Sequence, residues 1–149
     1  MQLRQTTTAL LTREGVIVIK GSCLCGKVCY EYYADIDEIS NCHCSQCRKA
    51  QGSAFVAIGP VESAKFHIKE GADLLKEFRS TPQKARVFCS NCGSPIYSTR
   101  DDLPNIKRLR LGTVDTPIHC ISQYHVHVAS KASWYEITDQ SPRYAKGKV

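Results

Sequence analysis

Short stretches of alternating apolar and polar residues, closed off by glycine, proline or cysteine, run through most of the chain. Val28, Tyr30 and Tyr32 alternate with polar neighbours within residues 27–33, and residues 123–128 alternate strictly, so both read as half-buried strands. Residues 16–20, 53–58, 65–68, 96–99 and 107–111 are β-rich in the same way, with Gly59-Pro60 expected to break the chain between the second and third. Residues 75–79 and 85–89 flank Thr81-Pro82, which predicts a hairpin. Helical turns are expected only at residues 45–50 and 133–137, so no long crossover helix serves a parallel sheet. The pattern predicts a mainly β fold, a single domain over residues 15–149 built of several short coiled antiparallel sheets and few short helices. Residues 1–14, polar and threonine-rich, are expected to be peripheral.

Composition narrows the class. With 42% hydrophobic and 23% charged residues in 149, the chain can bury a core and is not expected to be disordered. No apolar run reaches the length of a membrane span. Arg4, Arg13 and Glu14 interrupt the N-terminal stretch, so it does not read as an export signal. Nine cysteines in such a chain predict a cytoplasmic, reducing setting, in which clustered thiols mean metal or catalysis more often than disulfides.

The cysteines fall into three clusters: Cys23-Leu24-Cys25-Gly26, Cys42-His43-Cys44-Ser45-Gln46-Cys47 and Cys89-Ser90-Asn91-Cys92-Gly93. Tetrahedral zinc takes four ligands, and neither end cluster supplies four alone. The economical pairing joins Cys23 and Cys25 to Cys89 and Cys92 in a closed four-cysteine site that staples the domain. The alternatives are a redox dithiol at Cys89/Cys92 or disulfides between clusters. Cys42, Cys44 and Cys47 supply three thiolates with no fourth cysteine near in sequence. Three protein ligands and one open position are what separate catalytic from structural zinc. The fourth position is expected to be open, with closure by His43, His119, Cys120, His125 or His127 as the alternative. In an extended C-x-C segment the His43 ring points away from the metal, which suits a pocket role better. Cys29 and Cys120 are expected to pack in the core, and Trp134 to be a core or pocket-wall aromatic. Seven thiolates and two divalent zinc ions together add −3, so the formal charge of +6 becomes about +3. That excess is weak evidence for nucleic acid and suits a small anionic substrate equally well.

Residues 21–28, 42–49 and 88–95, containing these clusters, resemble the glutathione-dependent formaldehyde-activating enzyme family, a group that includes centromere protein V. Residues 109–115 (LRLGTVD) and 127–134 (HVASKASW) resemble its later blocks, so the likeness spans residues 20–137 in order. The resemblance implies a mainly β fold shared with a small zinc-binding nucleotide-exchange chaperone and with methionine sulfoxide reductase B proteins. It implies structural zinc on Cys23, Cys25, Cys89 and Cys92, and catalytic zinc on Cys42, Cys44 and Cys47. The activity it implies is addition of glutathione to formaldehyde, giving S-hydroxymethylglutathione, formally a carbon–sulfur lyase in reverse.

These readings set the functional expectations. The chain is expected to be a zinc-dependent lyase-like enzyme acting on glutathione or a similar thiol and a small aldehyde. His43 and Lys131 are the catalytic candidates, and Arg48 and Lys49 the candidates for holding glutathione's carboxylates. The competing reading is a non-catalytic zinc module for a protein or nucleic-acid partner. Its local support is Lys107-Arg108-Leu109-Arg110, a basic run that in a strand usually makes a solvated face.

Overall fold

The computed structural model describes residues 15–148; the segment expected to be peripheral, residues 1–14, lies outside them. Its strands are β1 (Ile19–Ser22), β2 (Cys29–Tyr32), β3 (Ser40–Cys42), β4 (Val56–Glu62), β5 (Phe66–Glu70), β6 (Leu75–Thr81), β7 (Lys84–Cys89), β8 (Pro95–Arg100), β9 (Ile106–Arg110) and β10 (Tyr124–Val126). The α-helix among the described residues, α1 (Ser45–Gln51), follows β3. The fold is mainly β, as the residue pattern predicts. Among the described residues no helix is long and apolar enough to cross a membrane.

Two sheets form. The smaller has the order β1-β2-β5; the larger runs β10-β3-β4-β9-β8-β7-β6. Every pairing is antiparallel except β10 with β3, which is parallel. The core lies between the sheets: Ile19, Tyr30, Tyr32 and Phe66 from the smaller pack in one cluster with Val61, Ile96 and Leu109 from the larger. Each fully buried side chain of this size contributes roughly 1.5–3 kcal/mol by leaving water.

The predicted hairpin is present, with β6 and β7 paired from Leu75↔Cys89 to Thr81↔Lys84. Three details differ from the sequence reading. β4 runs through Gly59-Pro60 without a break. Its partner β3 pairs only as far as Ile58, so Pro60 lies where β4 is bonded to β9 alone and a missing N–H is tolerated. Strand β3 itself is three residues, Ser40-Asn41-Cys42, too short and polar to show as a pattern. Residues 133–137 form no helix, only a turn at Ser133-Trp134, and Trp134 stands 71% exposed rather than packed.

Register decides what the outer face of the large sheet carries. Cross-strand partners in a sheet project to the same side. The pairs Lys84↔Arg100, Arg86↔Ser98, Ser98↔Arg108, Arg108↔Pro60 and Arg110↔Ile58 therefore share one face. Ile58 pairs in turn with Ser40, and Val56 with Cys42, whose β10 partner is Val126. A row of cations and the first residue of the central cysteine cluster thus meet on the side away from the core.

Candidate metal centres

All nine cysteines are free thiols. Cys23 and Cys25 follow β1, Cys89 ends β7 and Cys92 lies in the turn to β8. Their four Sγ atoms lie within 4.8 Å of one another, with Cys23–Cys25 at 3.4 Å and Cys25–Cys89 at 3.9 Å. A tetrahedral ion with Zn–S bonds near 2.3 Å needs sulfurs about 3.8 Å apart, so this donor set fits zinc. Each pair sits on a tight turn: Gly26 N–H donates to Cys23 O at 2.9 Å and Gly93 N–H to Cys89 O at 2.7 Å. Gly26 and Gly93 close these turns at φ 75° and 79°, a region that costs a residue with a Cβ. The turn also delivers Val28 N–H to Cys23 Sγ at 3.3 Å. Burial pushes the Cys89 thiol up to about 11. The Ser94 hydroxyl, 3.3 Å from Cys92 Sγ, draws Cys92 down to about 5.

The second group is Cys42, Cys44 and Cys47, also within 4.8 Å of one another. Cys42 ends β3; Cys44 is the N-cap of α1, its Sγ accepting the Cys47 N–H at 3.3 Å; Cys47 is buried in the first turn. A strand end and a capping thiol so bring three sulfurs together within six residues. Among the described residues no other cysteine, histidine or carboxylate shares this group; His119, Cys120, His125 and His127 lie outside it. Hydrogen bonds from the Cys42 and Cys44 thiols, then the charges of Arg110 and Lys84, hold the Cys47 thiol far below its ordinary range. The same contacts to Cys44 and Cys47 push Cys42 up.

These three cysteines form part of a cleft of about 590 Å³, which Lys84, Arg108, Tyr124 and His127 also line. None of Cys23, Cys25, Cys89 and Cys92 lines it. Two guanidiniums lie beside the group on the same sheet face: Arg86 and Arg110 are 8% and 3% exposed, and Nη1 of each is buried without a hydrogen-bond partner. Arg86 donates through Nη2 to Gln46 Oε1 at 3.3 Å. Burial pulls the Lys84 ammonium and the Arg110 guanidinium down, while the Cys47 charge pulls both back up. Reading the run at residues 107–110 as a wet face misses this. Lys107 sits 5.2 Å over the Tyr97 ring, Arg108 enters the cleft and Arg110 is buried. The available signal was period two, Lys84-x-Arg86 and Arg108-x-Arg110, on strands that become neighbours across β8.

The other expected residues gather behind β3. His43, fully buried, turns from the sulfurs and places Nε2 2.8 Å from His125 Nδ1; His125 Nε2 lies 2.9 Å from Asp139 Oδ2. Phe55 packs on the His43 ring at 5.3 Å, with Tyr135 beyond at 6.1 Å. Burial, then the His125 ring, pulls His43 down to about 4. Lys131 donates its ammonium to the carbonyls of Ala132 and Tyr135, and Arg48 donates Nε–H to His43 O at 3.4 Å. Lys49 is exposed on α1, and none of Arg48, Lys49 and Lys131 lines the cleft. Cys29 and Cys120 are half-buried.

Comparison with known proteins gives a fold likeness and a family. A crystal structure of a Rhodobacter sphaeroides protein superposes with a TM-score of 0.56 at 21% identity, covering 67% of this chain and 91% of that one, a likeness of fold alone. An uncharacterized lyase of Schizosaccharomyces pombe is 31% identical over 78 residues, 52% of this chain and 55% of the relative. The chain thus spans about half the length of the curated relative it matches. The family model described as glutathione-dependent formaldehyde-activating enzyme matches residues 18–130, which contain both cysteine groups. The chain belongs to that family.

Proposed function

We propose that this chain is a zinc-dependent, lyase-like enzyme that joins glutathione or a similar thiol to formaldehyde or another small aldehyde. The observation that carries the reading is the placement of three convergent thiols in a cationic cleft, while the four-cysteine group stands apart from it. Cys23, Cys25, Cys89 and Cys92 hold a structural ion that ties β1 to the β7–β8 turn. Cys42, Cys44 and Cys47 hold the second. A zinc ion there supplies a coordination position at which a substrate thiol is stabilised as thiolate.

The chain's own residues do the rest. The cleft admits the thiol beside the three sulfurs and holds its charged ends near Lys84 and Arg108. Arg110 and Arg86 offset the negative charge that gathers around the cysteines. In the forward direction the substrate sulfur forms a bond to the aldehyde carbon, the carbonyl π pair moves to oxygen, and that oxygen takes up the proton the thiol gave up. In reverse the carbon–sulfur bond breaks and the hydroxyl proton is lost. His43, behind the cysteine loop, and Lys131 serve by fixing that loop and the turn packed on it.

Exchange NMR with ¹³C-formaldehyde and glutathione tests the assignment, because it resolves enzyme-driven exchange from the spontaneous reaction. The metal-loaded protein accelerates the exchange and Cys44→Ala does not. Equal acceleration by the variant overturns the assignment.

A further inference from the structure

The large sheet has two edges, and the chain itself covers one of them. Along β10 the returning segment bonds to the strand: Pro142 O accepts the His125 N–H at 2.8 Å, and Tyr144 N–H donates to His125 O at 2.9 Å. At the other edge, among the described residues, β6 has β7 on one side and no strand on the other. The ladder decides which backbone groups face outward. Ser90 N–H donates to Leu74 O at 2.7 Å in the register of the hairpin. By alternation Lys76 and Phe78 turn their peptide groups to β7, and Glu77 and Arg79 turn theirs off the edge. Residues 76–79 are all exposed, with the Phe78 ring at 63%.

We propose that β6 is a self-association edge: two copies of this chain join antiparallel through it, centred on Phe78, into one continuous sheet. Charged side chains usually guard a bare edge against other strands. Here the two signs stand on either side of an aromatic ring, an order complementary to itself. An antiparallel partner must set outward-facing residues against outward-facing residues, so the two-fold axis can fall at Glu77, Phe78 or Arg79. At Glu77 or Arg79 it sets like charges opposite each other. At Phe78 it sets Glu77 opposite Arg79 of the second copy, twice, and brings the two Phe78 rings together at the closer, non-hydrogen-bonded spacing. Phe78 shares its face with Arg86, while Glu77 and Arg79 project from the other, so aromatic and ionic contacts form on opposite faces. In the single chain the ion pair of Glu77 is a 3.5 Å contact with Arg79 Nε, which leaves the carboxylate more than half exposed. Asp101, 3.0 Å from Arg79 Nη1, steadies the guanidinium.

Analytical ultracentrifugation of the full, zinc-loaded chain over a concentration series tests this. A single pair of seven-residue strands buries less than a standard interface, so the dimer is expected to form at tens to hundreds of micromolar. Glu77→Arg and Arg79→Glu each set like charges across the join and should weaken it about tenfold or more. An equimolar mixture of these two variants restores both opposite-sign pairs, as does the double variant within one chain, and each should associate as the native chain does. None of Glu77, Phe78 and Arg79 belongs to a cysteine group or lines the cleft, so circular dichroism and zinc content should stay native and certify each variant as folded. A native chain that stays monomeric throughout the series overturns the proposal. Single variants that associate like the native chain overturn it too, placing the contact elsewhere, as does a mixture that associates no better than its components.

Discussion

His43 and His125, 82 residues apart in sequence, share a buried hydrogen bond of 2.8 Å, and its direction follows from the third member of the chain. Asp139 is a carboxylate held below its ordinary value by the Ser141 N–H and by His125, so it accepts. His125 therefore carries its proton on Nε2, and its Nδ1 accepts from His43 Nε2–H. His43 Nδ1 is left as a buried lone pair without a partner. Long-range ¹H–¹⁵N NMR should show both rings protonated on Nε2 in the native protein. Asp139→Leu should scramble the His125 tautomer, while Asp139→Asn, which keeps an acceptor oxygen, should not.

Acid weakens the fold through the same ring. The folded His43 stays neutral down to about pH 4, whereas an unfolded histidine takes up its proton near 6.5. Between these values the unfolded state binds the extra proton, so His43's contribution is whole above 6.5 and falls as pH drops to 4. The loss amounts to roughly 2–3 kcal/mol across the interval. Denaturant midpoints measured between pH 7 and pH 4.5, with the His43 ring followed by NMR, check this. A His43 that protonates near pH 6.5 contradicts it.

The two cysteine groups should respond differently to alanine. Cys89→Ala removes a ligand from the group that joins β1 to the β7–β8 turn, and structural zinc contributes about 10 kcal/mol or more to folding. That variant should be largely unfolded or strongly chelator-sensitive. Cys44→Ala should keep the β-sheet circular dichroism and a cooperative melt while binding one zinc fewer per chain. Metal analysis beside thermal melts separates the two cases.

Arg110→Met should have opposite consequences with and without metal. Without metal, it removes a buried cation with an unsatisfied Nη1, so stability should be unchanged or higher. With metal, it removes a charge beside Cys47, and affinity for the second ion should fall by about tenfold. Denaturation of both forms and competition with a metal indicator read the two signs.

Leu109, fully buried between the sheets and flanked by Arg108 and Arg110 on the other face, separates fold from site. Leu109→Ala should cost about 2–5 kcal/mol in denaturant unfolding. The metal stoichiometry of the molecules still folded should stay the same.

What could be read in advance follows physical lines. The cysteine groups were legible because ligand spacing is local: C-x-C, C-x-x-C and the run from Cys42 to Cys47 each set a turn by themselves. Strand β2 was legible because its residues alternate between buried and half-buried, and β6 and β7 because they flank the turn at Thr81-Pro82. The cation face was not, because Arg86 and Arg110 become buried only when β7, β8 and β9 align and the cysteine loop comes to lie beside them. Tyr124 and His125, adjacent and both buried, break the alternation that predicts one wet face. The reason is that residues 142–144 return over β10, with Pro142 O accepting the His125 N–H at 2.8 Å. Trp134 was misplaced by composition, since an aromatic ring in a turn has no strand face to choose.

The claim at the centre is that the three-cysteine group holds a metal to which a substrate thiol is added. X-ray absorption at the zinc edge, on protein loaded at both sites, counts sulfurs directly. One four-sulfur and one three-sulfur site average about 3.5 sulfurs per zinc without thiol. Glutathione should raise that average to about 4, with the oxygen or nitrogen contribution disappearing. An average that glutathione leaves at 3.5, or one already at 4 before any thiol is added, contradicts the account.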